Sequence, residues 1–132
     1  MSNSELSAIQ HLTLLAGNLG MPGAPILHLS VLYNSETGHL NGEAVITQAI
    51  APPNGRIVIK NVTGLAHGLG IGGATRVFSL SGEYVQSFPP PAIGQITEKF
   101  SAIFTTDNAW KGHGTFSYGG NTVNNVPIKQ QG

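Results

Sequence analysis

The stretch MPGAPILHLSVLYNSETGHLNGEAVITQAIAPP, residues 21–53, decides the fold. Proline-bearing turns bracket two runs in which apolar and polar residues alternate, with a polar bend between them. Alternation puts Leu27, Leu29, Val31 and Tyr33 on one face of the first run. Ile26, His28, Ser30 and Leu32 fall on the other. A loop from Asn34 to His39 sets Tyr33 opposite Leu40, Leu29 opposite Ala44 and Leu27 opposite Ile46. Ser30 then faces Glu43, and His28 faces Val45, on the outer side. A slip of one residue would set Glu43 against Leu29 and bury a carboxylate without a partner, so the first register is preferred.

The same grammar continues outward. The 18 glycines and 8 prolines punctuate short runs rich in Val, Ile, Thr, Phe and Tyr, and no sustained helical period occurs. Strands are expected over 8–16, 26–33, 40–50, 56–63, 75–80, 83–88, 96–105 and 109–118, with a last one over 122–128. The fold class is therefore all-β: a single antiparallel β-sandwich or flattened barrel of about eight strands over residues 1–132, with a loose N-terminus (1–7) and a C-terminal tail (129–132). A second hairpin turns at Thr106-Asp107-Asn108, with Phe104 opposite Trp110, Ala102 opposite Gly112 and Phe100 opposite Gly114. Phe116 and Tyr118 continue that face. Lys99, Ser101, Ile103, Lys111, His113 and Thr115 point the other way. The two glycines leave volume on the inner face, for core side chains or for a ligand. GLAHGLGIGGATR, residues 64–76, suits either a mobile loop or a close backbone approach. The prolines at 89–91 suit a stiff extended connector.

Composition excludes several functions. Only 9% of residues are charged, against roughly 25% in an ordinary soluble protein, and net charge is zero with neutral histidines. Six scattered lysines and arginines do not make a nucleic-acid surface. Low charge also leaves little self-repulsion, so a homo-oligomer is expected. With no cysteine, disulfides and thiolate metal sites are excluded. No apolar run reaches the length of a transmembrane helix, about 18 residues or more. The first twenty residues lack a signal-peptide pattern, so the expected location is cytoplasmic, or outside by a route without a cleaved signal.

Pro22-Gly23-Ala24-Pro25 followed by Leu27-His28 and Ser30, and Gly42-Glu43-Ala44-Val45-Ile46-Thr47-Gln48-Ala49 with Pro52-Pro53, resemble a small bacterial domain family of unknown function. The resemblance is strongest over 14–60 and extends toward Tyr118 through the two-hairpin pattern. It implies a compact bacterial all-β domain and carries over no catalytic residue. The Gly-rich segment 64–76 and the prolines at 89–91 depart from it.

Site chemistry is sparse. Five histidines (11, 28, 39, 67 and 113) show no ligand spacing, and no metal or cofactor is expected. The G-x-G at 68–70 lacks a dinucleotide fingerprint. The sole aspartate, Asp107, reads as a turn residue, and no G-x-S-x-G elbow is present. Glu98 points toward the Phe100 face, either as a general acid or as a strand-end residue reaching the rim. A carbohydrate asks for aromatic faces and polar side chains. Candidate ligand-binding residues are Trp110, Asn108, Asp107, Tyr118 and His113, with Trp110 alternatively a core anchor. The expected function is a non-catalytic module recognising a glycan or a cell-surface protein. The alternatives are a self-assembling or fibre-forming surface protein, a small toxin-like component, and a hydrolase.

Overall fold

A computed structural model describes residues 8–50, 55–68, 76–88 and 90–131. Eight strands follow in chain order: β1 (Ile9–Ala16), β2 (Ile26–Asn34), β3 (His39–Thr47), β4 (Arg56–Gly68), β5 (Arg76–Ser87), β6 (Gln95–Thr106), β7 (Gly112–Tyr118) and β8 (Asn121–Gln130). Each pairs with the next, antiparallel, and β8 returns to β1, so the sheet closes into a barrel. Closure removes the two full-length edges that an open sandwich would offer to another copy. Among the described residues no helix is long and apolar enough to cross a membrane.

The opening hairpin has the register read from its alternation. Leu27 pairs with Ile46, Leu29 with Ala44, Ser30 with Glu43 and Tyr33 with Leu40. Leu27, Leu29, Val31, Leu40, Ala44 and Ile46 are buried. They join Phe78, Phe100, Phe104 and Phe116 in one core that fills the barrel. Fully burying such a side chain stabilises the fold by about 1.5–3 kcal/mol.

The second hairpin is displaced by four residues along its second strand. Thr106 pairs with Gly112, Phe104 with Gly114, Ala102 with Phe116 and Phe100 with Tyr118. The turn spans 107–111, because one Asp107 carboxylate oxygen accepts the N–H groups of both Ala109 (2.8 Å) and Lys111 (3.1 Å). Trp110 sits in that turn at φ +63°, outside β7. An even shift preserves the faces, so the expected inner and outer residues keep their sides. Gly114 borders packed core: a Cβ there would strike the Phe104 ring and the Ile103 carbonyl oxygen.

Three further expectations change. The runs 75–80 and 83–88 form one strand, since Ser81 and Gly82 pair on both sides. Gly64 lies inside β4 where any side chain would strike the Ser79 carbonyl, the close-approach reading of the Gly-rich segment. Residues 69–75 of that segment lie outside the described residues, as do 1–7 and 89. The tail is not loose at its start: Lys129 pairs with Leu15 and Gln130 with Leu14, while Gln131 N–H donates to the Thr13 carbonyl at 2.8 Å.

Two bulges bend the wall. β4 carries one extra residue at Lys60–Asn61, between the pairs Ala44–Ile59 and Gly42–Val62. β8 carries one at Asn124–Asn125, where Asn125 adopts φ +53° and its N–H donates to Thr115 Oγ1 at 3.3 Å. A continuous outer row of Asn41, Thr63, Ser81, Ser101, Ser117 and Thr122 crosses six strands in register. Small hydroxyls and amides thus wet a wall that has few charges.

The seam between β1 and β8 comprises three residue pairs. Deleting residues 129–132 removes two of them and the Gln131 bond. At about 1 kcal/mol for each ladder hydrogen bond, stability should fall by roughly 2–3 kcal/mol, read as a lower urea midpoint. An unchanged midpoint would show that closure does not depend on this segment.

Candidate functional site

Strands β2, β4 and β6 finish at one end of the barrel, and β1, β3, β5 and β7 at the other. Asp107, Asn108 and Trp110 belong to the first end. Trp110 is 2% exposed. Its ring meets Tyr33 edge-on at 4.9 Å and Phe78 at 5.4 Å, and the Arg76 guanidinium covers its face at 3.9 Å. Trp110 is therefore the core anchor of this end, with no ring face left for a sugar. Arg76 Nη1 is buried and has no hydrogen-bond partner among the described residues, so the aromatic rings supply its stabilising contact there. Asp107 holds the turn, and Asn108 is exposed at its tip. His113 points outward from β7 opposite Pro127. Tyr118 closes β7 at the other end. Asp107 and His113 line one outer groove, but the five candidates do not converge on a single site.

A different group does converge, at Tyr118. Tyr84 on β5 pairs with Glu98 on β6, both on the inward side. Gln48, Tyr84, Gln86, Glu98, Tyr118 and Asn121 line a cleft of about 400 Å³. Gly119 forms part of its floor at φ +57°, a conformation that suits glycine. A Cβ on Gly119 would lie 2.5 Å from Glu98 Oε2 and 3.1 Å from Tyr84 Oη. The missing side chain thus lets the Glu98 carboxyl group and the Tyr84 phenol pack close against the Gly119 backbone. Glu98 is half-buried at the rim. Burial first, then the Glu98 and Tyr118 charges, push the Tyr84 hydroxyl up to about 12. Burial also raises Tyr118. At neutral pH the cleft therefore offers two phenol donors beside a carboxyl group.

Tyr84 was legible only as one aromatic among several, because its meeting with Glu98 depends on a register set across the 88–94 connection. The histidines go elsewhere. His11 Nε2 lies 2.9 Å from Ser30 Oγ, and His28 Nε2 lies 3.1 Å from Thr47 Oγ1. Burial and the Arg56 charge lower the His28 pKa. Among the described residues no three His, Asp or Glu side chains are grouped to hold a metal ion.

Comparison with known proteins places the chain in a family. Residues 11–123 match the family described as Domain of unknown function (DUF1842), and the chain belongs to it. No curated protein matches the chain.

The Tyr84 shift has a direct consequence at high pH. A phenol whose pKa rises from 10 unfolded to about 12 folded contributes stability that is complete below pH 10 and is lost as pH climbs to about 12. Tyr84→Phe should flatten the stability profile in that window, measured by urea unfolding at stepped pH. An equally steep profile in the variant would place the raised phenol elsewhere.

Proposed function

We propose that this DUF1842 domain is a non-catalytic binding module for a neutral glycan, seated in the cleft at Glu98. The observation that carries the reading is the convergence of the Glu98 carboxyl group and the Tyr84 and Tyr118 phenols beside Gly119 in one cleft. A sugar hydroxyl donates and accepts at once, so a carboxylate acceptor beside phenol donors suits it. Gln48 and Asn121 add amides, which offer both functions. Ile50 and Ile57 add a small apolar edge to a cleft that is mainly polar. None of the described lining residues is Lys, Arg or His, which favours an uncharged ligand.

Two arguments favour binding over turnover. Glycoside hydrolysis by the common route uses a pair of carboxylates roughly 5–9.5 Å apart, and Glu98 is the one acid among the described residues lining the cleft. The barrel interior is filled by side chains, so ligand must be held at the rim.

A glycan array probed with the native chain and with Glu98→Gln tests this. The hydrogen bond to a charged group is worth about 1.5–3 kcal/mol, so Glu98→Gln should weaken binding by about tenfold or more while circular dichroism stays unchanged. Absence of binding by the native chain, or equal binding by both, would overturn the reading.

A further inference from the structure

We propose a second binding site, in the outer groove across the β1–β8 seam, for a small molecule with an apolar body and one carboxylate. The groove encloses about 560 Å³, within the usual range for small-molecule sites. It forms where Leu15 pairs with Lys129 and Pro127 pairs with His113. Leu15, Leu19 and Pro127 supply its apolar lining, and Leu19 is 53% exposed. Gly17 and Gly112 contribute backbone to its lining. It shares no lining residue with the Glu98 cleft.

Charge selects the occupant. The chain has six lysines and arginines, and two of them, Lys111 and Lys129, line this groove beside His113. The opposing acid is Asp107, whose Oδ1 already accepts the N–H groups of Ala109 and Lys111. A ligand carboxylate between the two ammonium groups would gain charge-assisted hydrogen bonds at an apolar surface. Its hydrocarbon part would cover Leu15 and Leu19, which solvent now reaches. The groove is also held in shape beforehand. Gly17 N–H donates to the Pro127 carbonyl at 3.0 Å, and Gln130 Nε2 donates to the Ala109 carbonyl at 2.9 Å, pinning the 107–111 turn to β8. The enclosed volume suits one small molecule and is too small for a folded partner.

Titration of the ¹⁵N-labelled full chain with octanoate and with uncharged octanamide tests the assignment. Octanoate should shift the backbone amides of Leu15, Lys111, His113 and Lys129, and bind about tenfold more tightly than octanamide. The double variant Lys111→Gln/Lys129→Gln should lose that tenfold preference and keep its octanamide affinity. Glu98→Gln should bind octanoate as the native chain does, which separates this site from the glycan cleft. Equal affinity for the two probes, indifference to the double variant, or shifts mapping to another surface would overturn the proposal. So would an acidic leucine-bearing peptide that occupies the groove when octanoate does not.

Discussion

The pairing of Leu14, Leu15 and Ala16 with Gln130, Lys129 and Ile128 is the contact on which the rest of the molecule depends. It turns a meander of eight strands into a closed wall. A sheet left open would present two rows of unpaired backbone groups. In a chain of zero net charge, little electrostatic repulsion would keep such rows apart. Closure satisfies the part of them at the three-pair seam, and the outer row from Asn41 to Thr122 hydrates the wall without ionic groups. Low charge and all-β architecture are thus compatible here because the sheet closes on itself.

Closure also dictates where function can reside. An eight-stranded barrel is just wide enough for its own side chains, and four phenylalanines occupy the interior with the aliphatic residues. Ligands are therefore confined to the ends and the outer wall. The two ends differ in chemistry. At one, Trp110, Tyr33 and Arg76 stack into an aromatic plug with the guanidinium folded in. At the other, the inward row finishes on Tyr118, Tyr84 and Glu98, so apolar core gives way to hydroxyl and carboxyl groups. The second end is equipped for hydrogen bonding, whereas the first is sealed.

How much of this was legible depends on how far each inference reached along the chain. The register of the opening hairpin was readable because Glu43 penalises the wrong one, although the second strand ends at Thr47 and not at residue 50. The second hairpin kept its faces but not its pairs. A three-residue turn at 106–108 was plausible by composition, yet the Asp107 carboxylate captures two N–H groups and widens the turn, leaving Trp110 to fold inward from it. Tertiary burial of one indole decided what local turn chemistry left open. The Ser81-Gly82 pair reads as a break, but in the sheet Gly82 is the residue that β4 crowds: a Cβ there would lie 2.8 Å from the Asn61 carbonyl oxygen. The barrel itself needed the pairing of the first and last strands, which no local pattern encodes. The Glu98 cleft needed it too, since strands β5, β6 and β7 meet the β3–β4 connection there.

The bulge at Lys60–Asn61 gives that cleft its shape. Beyond the Val62–Gly82 pair, β4 and β5 are no longer in register contact, although both strands continue. A gap of about 170 Å³ opens between them, lined by Arg56, Ile57 and Val58 on one side and by residues 84–87 on the other. Ile57, Tyr84 and Gln86 line both this gap and the cleft. Tyr84 consequently stands at a junction: its ring seals the core while its hydroxyl faces a site that opens along the axis and through the wall. On the proposed reading, a ligand against Glu98 would meet a side exit bordered by buried Ile57 and Tyr84 and by exposed Arg56, Val58, Val85 and Ser87. On the proposed glycan reading, a chain of sugars would suit this geometry better than a single ring, because units beyond the first would not displace packed core.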